Sequence, residues 1–516
     1  MILKIMRFNN NHFIFLIIIF FINIVAHFLP FERSALSPDD YSLLFREKTN
    51  LLNFLTRPDR PLAYIWIEFQ SMIVGDNSQI GFILTFTSSL LTIFASYIFF
   101  FLIFKDKKLS FILTIIYSLI FNKLEIFHTP MMTHINIATL GYMVSFIFFL
   151  LYFKKRNLLI IIFSYIFYCI GVFWYEVGFF LPLAFIFYYF LYKNNIKLKE
   201  LIIILFPFFV IGFFYIIYRL TGVFGSGRIF DLHTPSISAI PSGLIDVFHN
   251  FFGRSFLRHV IYGLYSFFNI NKLLICFFII TNTLLVFFIY KFLNKNKISF
   301  INLNTFIIAI IIFFVFLIPN IIHGAIGGRS TIISSIGLTI IIFFIVSLFK
   351  KKFAIIFSFL FFFGLIICQG NAWNQVVASR INNSVYETIK EYNLNISQSK
   401  YLIIDTHSFA KNINHSLINN ESNVLNTYFG AQTFEDWGLF SLVSLALLNF
   451  KNKPKTYIAS GGFEFMDNNQ IRIIHFENIK YRKKTKKNNF IPADKVFVLD
   501  YSKVYKKGFY SGKRIN

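Results

Sequence analysis

The stretch that decides the fold is His12 to Pro30, HFIFLIIIFFINIVAHFLP, which contains no Asp, Glu, Lys or Arg. A helix rises about 1.5 Å per residue, so this run can cross the ~30 Å hydrocarbon core of a bilayer. A cleaved signal peptide would end in a small-x-small cleavage site, which Val25-Ala26-His27-Phe28 does not provide. The sequence predicts an uncleaved first membrane span.

The composition of the whole chain agrees with this start. Of 516 residues, 56% are hydrophobic and 14% are charged, and the mean hydropathy is +0.64, which excludes an ordinary soluble domain. The net charge of +25 could indicate nucleic acid. The basic residues fall largely at helix ends and in the C-terminal tail, however, so we expect a bilayer and no nucleic acid as partner.

Apolar runs of helical length continue along the first 368 residues. They predict about eleven spans, near 12–29, 80–104, 109–123, 135–153, 158–175, 177–192, 200–220, 273–293, 304–322, 331–349 and 352–368. Cytoplasmic loops retain Lys and Arg, and every second loop is basic when Lys4 and Arg7 are placed inside. The basic clusters lie at 105–108, 154–156, 193–199, 291–297 and 350–352. We therefore expect a protein of a bacterial inner (plasma) membrane with a cytoplasmic N-terminus.

Two long segments and a C-terminal domain are then expected on the outer side. Segment 31–79 contains a stretch, 41–55, that suits a surface helix, and segment 221–272 carries aromatic and basic residues typical of the membrane interface. Residues 369–516 are more polar and should form a small soluble α/β domain. Its predicted strands lie at 401–404, 456–459, 471–474 and 496–499, after a helix at 371–393.

This topology sorts the residues capable of chemistry onto one side. The outer-side residues are Asp39, Asp40, Glu47, Arg57, Asp59, Arg60, Glu125, His128, His134, Glu176, His323 and Arg329. The apolar spans hold almost no ionisable residue, whereas a proton- or ion-coupled carrier places such groups at mid-membrane. The pattern favours chemistry at the outer interface over transport.

The acidic pair Asp39-Asp40 follows the first span closely. Two adjacent like charges can raise one carboxyl pKa, so either residue could act as a general base or bind a divalent cation such as Mg²⁺ or Mn²⁺. The structural alternative is that Ser37-Pro38-Asp39 starts the surface helix as an N-cap. Both interpretations stay open.

Three arginines are candidates for holding a phosphate. Arg57 and Arg60 flank Pro58-Asp59, and Arg329 follows a glycine-rich stretch directly before a span. Arginine binds phosphate with two parallel hydrogen bonds, although an arginine at a helix start also commonly extends to the interface.

The remaining candidates lie in two turns between spans. Glu125, His128 and His134 fall within ten residues. Their spacing matches no tight metal motif, so the histidines are better candidates for acceptor or phosphate contacts. Glu176 is a candidate for catalysis through the same contacts, and equally for a structural hydrogen bond to a neighbouring loop.

These features together resemble the GT-C superfamily of integral membrane glycosyltransferases. The layout is similar to that of the protein O-mannosyltransferases. The resemblance covers residues 1–368 and rests on the acidic pair Asp39-Asp40, Arg60-Pro61-Leu62, Glu176 before the proline-bearing span with Pro182, and Arg329 before Ser335-Ile336-Gly337. The tyrosine that the family carries after the late arginine is replaced by Ser330, and the C-terminal domain matches no part of the family.

The resemblance implies an inverting transfer of a sugar from a polyprenyl-phosphate-linked donor to a hydroxyl acceptor in a glycan, lipid or protein. Asp39 or Asp40 would be the base or metal ligand, and Arg57, Arg60 and Arg329 would bind the donor phosphate. His128, His134 and Glu176 would contact acceptor or phosphate. The alternatives are an O-antigen polymerase or ligase, whose long outer loop would be 221–272, and a transporter or export scaffold.

Overall fold

The computed structural model is that of a helical membrane protein with β-strands in its C-terminal part. It describes residues 10–32, 60–75, 77–120, 124–192, 198–221, 240–296, 298, 301, 303–318, 321, 331–405, 427–428, 431–432, 454–459, 463–466, 469–479, 483–493, 496–500 and 511–515. The chain divides into two compact units. The first comprises residues 1–29, 49–70 and 82–373, and the second 30–48, 71–81 and 374–516.

Each predicted apolar run contains a helix. The helices are α1 (Asn10–His27), α2 (Pro61–Val74), α3 (Ser78–Phe104), α4 (Lys107–Leu119), α5 (Thr133–Lys155), α6 (Leu158–Trp174), α7 (Leu181–Tyr192), α8 (Leu198–Thr221), α9 (Ile240–Phe251), α10 (Arg254–Phe268), α11 (Lys272–Lys295), α12 (Leu303–Val315), α13 (Ser335–Ser347), α14 (Phe353–Glu391) and α15 (Asn393–Gln398).

Six of the described helices are long and apolar enough to cross a membrane. They contain the segments Asn10–His27, Ser78–Phe104, Thr133–Lys155, Lys199–Tyr218, Lys272–Lys295 and Lys350–Arg380. Four further apolar helices are shorter, between 10 and 17 residues. The predicted total of eleven spans and their sidedness therefore remain predictions. The predicted last span and the helix expected after it are one continuous helix, α14.

Small and amide side chains hold the helices of the first unit together. In a bilayer, apolar side chains pack against lipid as well as against another helix, so hydrogen bonds between helices help to select the neighbouring helix. Ser145 and Ser164 each donate to the other's backbone carbonyl, at 2.8 and 2.7 Å, and join α5 to α6. Asn282 and Gln369 exchange two amide hydrogen bonds at 2.9 and 3.0 Å. Gln369 also donates to the carbonyl of Val25 at 3.1 Å, so one buried amide pair connects α1, α11 and α14.

The described residues of the second unit contain three groups of strands. The strands are β1 (Tyr401–Asp405), β2 (Thr427–Tyr428), β3 (Ala431–Gln432), β4 (Lys455–Ile458), β5 (Phe463–Met466), β6 (Gln470–Ile479), β7 (Lys483–Pro492), β8 (Val496–Asp500) and β9 (Ser511–Ile515). All four predicted strands are confirmed as β1, β4, β6 and β8.

One sheet has the order β4-β1-β8-β9, with β4, β1 and β8 parallel and β9 antiparallel. Strands β5, β6 and β7 form an antiparallel meander, and β2 pairs with β3. Apolar residues of both larger sheets meet in one buried cluster that includes Ile403, Ile471 and Val498. The sequence is strongly basic over residues 480–487, and the described part of this run, from Lys483 onward, belongs to β7.

Candidate functional site

The turn after α6 is fixed by a tyrosine from the neighbouring helix. Helix α6 ends at Trp174, Tyr175 is extended, and residues Glu176–Gly178 form a turn of 3₁₀ helix. The hydroxyl of Tyr142 on α5 donates a hydrogen bond to the carbonyl of Tyr175 at 2.8 Å. Tyr142 is 1% exposed and Tyr175 7% exposed, so this turn is packed from both sides.

Two glycines make room for the Tyr142 ring. A Cβ atom at Gly178 would lie 2.5 Å from ring carbons of Tyr142, and one at Gly171 would lie 2.9 Å from the ring. Both distances are shorter than carbon–carbon van der Waals contact. Glycine at 171 and 178 therefore allows the ring to sit between helix and turn, which sets the position of Glu176.

Arg60 meets Glu176 in a two-pronged ion pair. Arg60 directly precedes Pro61, the first residue of α2. Its Nε donates to Oε2 of Glu176 at 3.0 Å and its Nη2 to Oε1 at 2.8 Å. The guanidinium carbon also lies 4.1 Å from the centre of the Tyr175 ring. Parallel hydrogen bonds and ring stacking together fix the plane of the guanidinium.

This arginine keeps both its charge and unused donors. Burial alone would lower the pKa of Arg60, but the adjacent Glu176 carboxylate and the Tyr175 ring raise it well above its ordinary value. A guanidinium has five N–H groups, and the ion pair with Glu176 uses two. Among the described residues, no acceptor is bonded to the other three. The side chains of Arg60 and Glu176 are 31% and 18% exposed, so a ligand can approach them.

Two tryptophans complete this group. Trp66 on α2 and Trp174 have ring centres 6.2 Å apart. The indole Nε1 atoms of both are buried, and neither has a hydrogen-bond partner within the described part of the chain. We refer to Arg60, Trp66, Trp174, Tyr175 and Glu176 as the Arg60 cluster. It combines donors, one carboxylate and flat aromatic rings, which suits a ligand that carries both oxygen atoms and apolar faces.

The two candidate histidines occupy different surroundings. His134, 3% exposed, lies edge-on to Tyr175 with ring centres 5.9 Å apart, and therefore borders the Arg60 cluster. His128, 1% exposed, lies 5.7 Å from the ring of His27, which stacks on Phe127. The structure thus places His134 against Tyr175 of the Arg60 cluster and His128 against α1.

A polar seam holds the segment between the two histidines. Gln70 on α2 donates to the carbonyl of Pro130 at 2.7 Å. The side-chain amide nitrogen of Asn136 lies within hydrogen-bonding distance of the hydroxyls of Ser88 and Ser89 and the carbonyl of Ile126, at 3.1, 2.8 and 2.9 Å, and its two N–H groups are shared among them. This seam joins α2, α3 and α5, so the position of His134 at the start of α5 is set by helix packing.

Four further predicted site residues are not described by the structure. Asp39, Asp40, Arg57 and Arg329 lie outside the described residues, as does the predicted surface helix at 41–55. For Glu125, the structure gives only the backbone, in a short helical turn Glu125–His128. Among the residues that are described, no group of three His, Cys, Asp or Glu side chains is arranged to hold a metal ion. The candidate Mg²⁺ or Mn²⁺ site at Asp39 or Asp40 remains a hypothesis.

Sequence reasoning singled out Arg60, Glu176 and His134 separately and missed Tyr142, Trp66 and Trp174. A usable signal was the run Trp174-Tyr175-Glu176 between Gly171 and Gly178, because polar and aromatic residues beside glycines commonly form a tight turn.

Comparison with protein-family models, curated proteins and solved structures finds no match to this chain.

Proposed function

We propose that this chain is an inverting membrane glycosyltransferase that moves a sugar from a polyprenyl-phosphate-linked donor to a hydroxyl acceptor at the outer face of the membrane. The observation that carries the proposal is the Arg60 cluster, in which a guanidinium is oriented by Glu176 and Tyr175 while three of its N–H groups keep no bonded acceptor among the described residues. Such an oriented cation suits a phosphate leaving group.

The chemistry divides between two kinds of residue. The acceptor hydroxyl oxygen attacks the anomeric carbon of the donor sugar, and the bond from that carbon to the phosphate oxygen breaks with inversion. The hydroxyl proton passes to a carboxylate, for which Asp39 and Asp40 are the candidates. Arg60 stabilises the negative charge that develops on the phosphate, with Arg57 and Arg329 as further candidate cations.

The aromatic members of the Arg60 cluster have a separate role in this proposal. Trp66 and Trp174 offer flat apolar faces, which suit the C–H faces of a sugar ring. His134 borders the same group and is the candidate for a contact to the acceptor or phosphate. His128 lies against His27, so we assign it no contact in this proposal.

The test is binding of a synthetic polyprenyl phosphate to purified protein in nanodiscs. Arg60→Lys keeps the charge but loses the paired geometry, so the affinity should fall about tenfold, and Arg60→Ala should reduce it further, by about 10–100-fold in total. Arg156→Lys is the matched control, because Arg156, between α5 and α6, forms an ion pair with Glu200 at the start of α8 and is not part of the Arg60 cluster. Equal affinity in all variants would remove Arg60 from the site. Absence of binding by folded wild type would favour a transporter or export scaffold.

A further inference from the structure

The first unit contains an elongated apolar cavity that is separate from the Arg60 cluster. Its volume is about 250 Å³, and every residue that lines it is hydrophobic or glycine. Its walls come from α4, α13 and α14, together with Phe251 of α9 and Phe256 of α10. No residue of the Arg60 cluster lies on these helices. We refer to this cavity as the slot.

The shape of the slot matches a single hydrocarbon chain. On α13 the lining residues Leu338, Ile342 and Val346 follow one another at every fourth position. On α14 the lining extends from Phe357 to Ile367, which is about 15 Å along the helix axis. That length is about half of the ~30 Å hydrocarbon core, and therefore about one leaflet. A polyprenyl chain is longer than one leaflet.

The lining also determines the chemistry of the occupant. A polar ligand would lose its hydrogen bonds in such a cavity, and water would find no partners there. Leu360 lines the slot and is 47% exposed, so one wall is continuous with the protein surface. Hydrocarbon can therefore enter from the side.

The two amphipathic helices α9 and α10 lie at one end of the slot. Phe251 packs with Ile120 and Leu338, which line that end. Helix α10 is held close to α14, because a Cβ atom at Gly370 would lie only 1.8 Å from the carbonyl oxygen of Gly263. The amide of Asn371 also donates to the carbonyl of His259 at 2.9 Å. The position of this end relative to α9 and α10 is therefore fixed.

The chain around this end carries a net positive charge. From Ile240 to Lys272 it contains three basic residues, Arg254, Arg258 and Lys272, and one acidic residue, Asp246. Basic residues near a membrane interface attract anionic head groups. We propose that the slot binds one acyl chain of an anionic phospholipid, with its head group at the α9–α10 junction. This site is independent of the proposed transfer reaction and of its lipid-linked donor.

The test uses phosphatidylglycerol carrying a photoreactive acyl chain, added to the full-length protein in nanodiscs. Cross-linked peptides are then mapped by mass spectrometry. In wild type, labels should fall within Phe357–Ile367 of α14. Gly364→Leu fills the slot from α14, where a Cβ atom would meet Leu119 at an ordinary 3.5 Å. Ile342→Phe fills it from α13. Each should reduce labelling about tenfold, because an added side chain and the acyl chain cannot share the space.

Ile355→Phe is the matched control, because Ile355 is on the same helix, is 59% exposed and does not line the slot. Its labelling should equal that of wild type. The two filling variants change different helices, so either variant still tests the proposal if the other does not fold. Labelling of wild type outside the slot, or undiminished labelling in a folded filling variant, would overturn the proposal. Displacement of the probe by an equal amount of polyprenyl phosphate would also overturn it, because the slot would then belong to the donor.

Discussion

Replacement of Gly178 by alanine tests whether the Tyr142 ring positions Glu176. The new Cβ would lie 2.5 Å from Cγ and Cδ2 of Tyr142, about 1 Å closer than van der Waals contact. The ring has no room to retreat, because Gly171 lies against it and its hydroxyl is bonded to Tyr175. Gly178 is outside the left-handed region of φ, so the steric collision is the main cost.

The magnitude follows from these contacts. Overpacking of a filled interior costs about 1–3 kcal/mol, and loss of the Tyr142–Tyr175 hydrogen bond costs about 0.5–1.5 kcal/mol. We expect Gly178→Ala to lower the free energy of unfolding by about 2–4 kcal/mol in all. Binding of polyprenyl phosphate should weaken as well, because Tyr175 and Glu176 would no longer hold the guanidinium of Arg60 in its plane.

The assay is unfolding by sodium dodecyl sulfate in mixed micelles, followed by tryptophan fluorescence. Gly364→Ala is the control, since its Cβ would meet Leu119 at 3.5 Å and the change should be neutral or stabilising by about 0.4–1 kcal/mol. In a Gly178→Ala/Tyr142→Leu double variant the collision is relieved. Its loss of unfolding free energy should therefore be smaller than the sum of the losses in the two single variants. Wild-type stability of Gly178→Ala would refute the reasoning.

Three further predictions concern other parts of the molecule. A double-mutant cycle with Arg60→Ala and Glu176→Gln should give a coupling free energy of about 1–3 kcal/mol, between the values for exposed and buried pairs; additive single effects would show that the pair contributes no coupling. Asn282→Leu should destabilise the protein by about 1–3 kcal/mol because Gln369 loses its partner, whereas Asn282→Leu/Gln369→Leu should cost less than Asn282→Leu alone; equal costs would contradict the amide pair. A periplasm-active reporter fused after Asn371 should be active and one fused after Lys108 inactive; the reverse result would overturn the predicted sidedness.

The candidate site was predictable only in pieces. Arg60 stood out beside Pro61, and Glu176 stood out in an apolar turn. The ion pair is compatible with both roles considered for Glu176, a structural bond to a neighbouring loop and a role in catalysis. Their pairing was not predictable, because 116 residues separate them in the chain. The roles of Asp39, Asp40, Arg57 and Arg329 remain predictions from residue type and position.

The sequence by itself determined the helices within the predicted apolar runs and the strands β1, β4, β6 and β8. It did not predict α2, which lies in the segment 31–79. Hydropathy and residue alternation act over about five to twenty neighbouring residues, so they can be recognised without knowledge of the fold. Tertiary structure alone decided that Tyr142 fits between Gly171 and Gly178, that Arg60 meets Glu176, and that residues from α4, α9, α10, α13 and α14 enclose the slot. These contacts join residues far apart in sequence. Their formation depends on how side-chain volumes and buried polar groups fit together across helices, which no local pattern records.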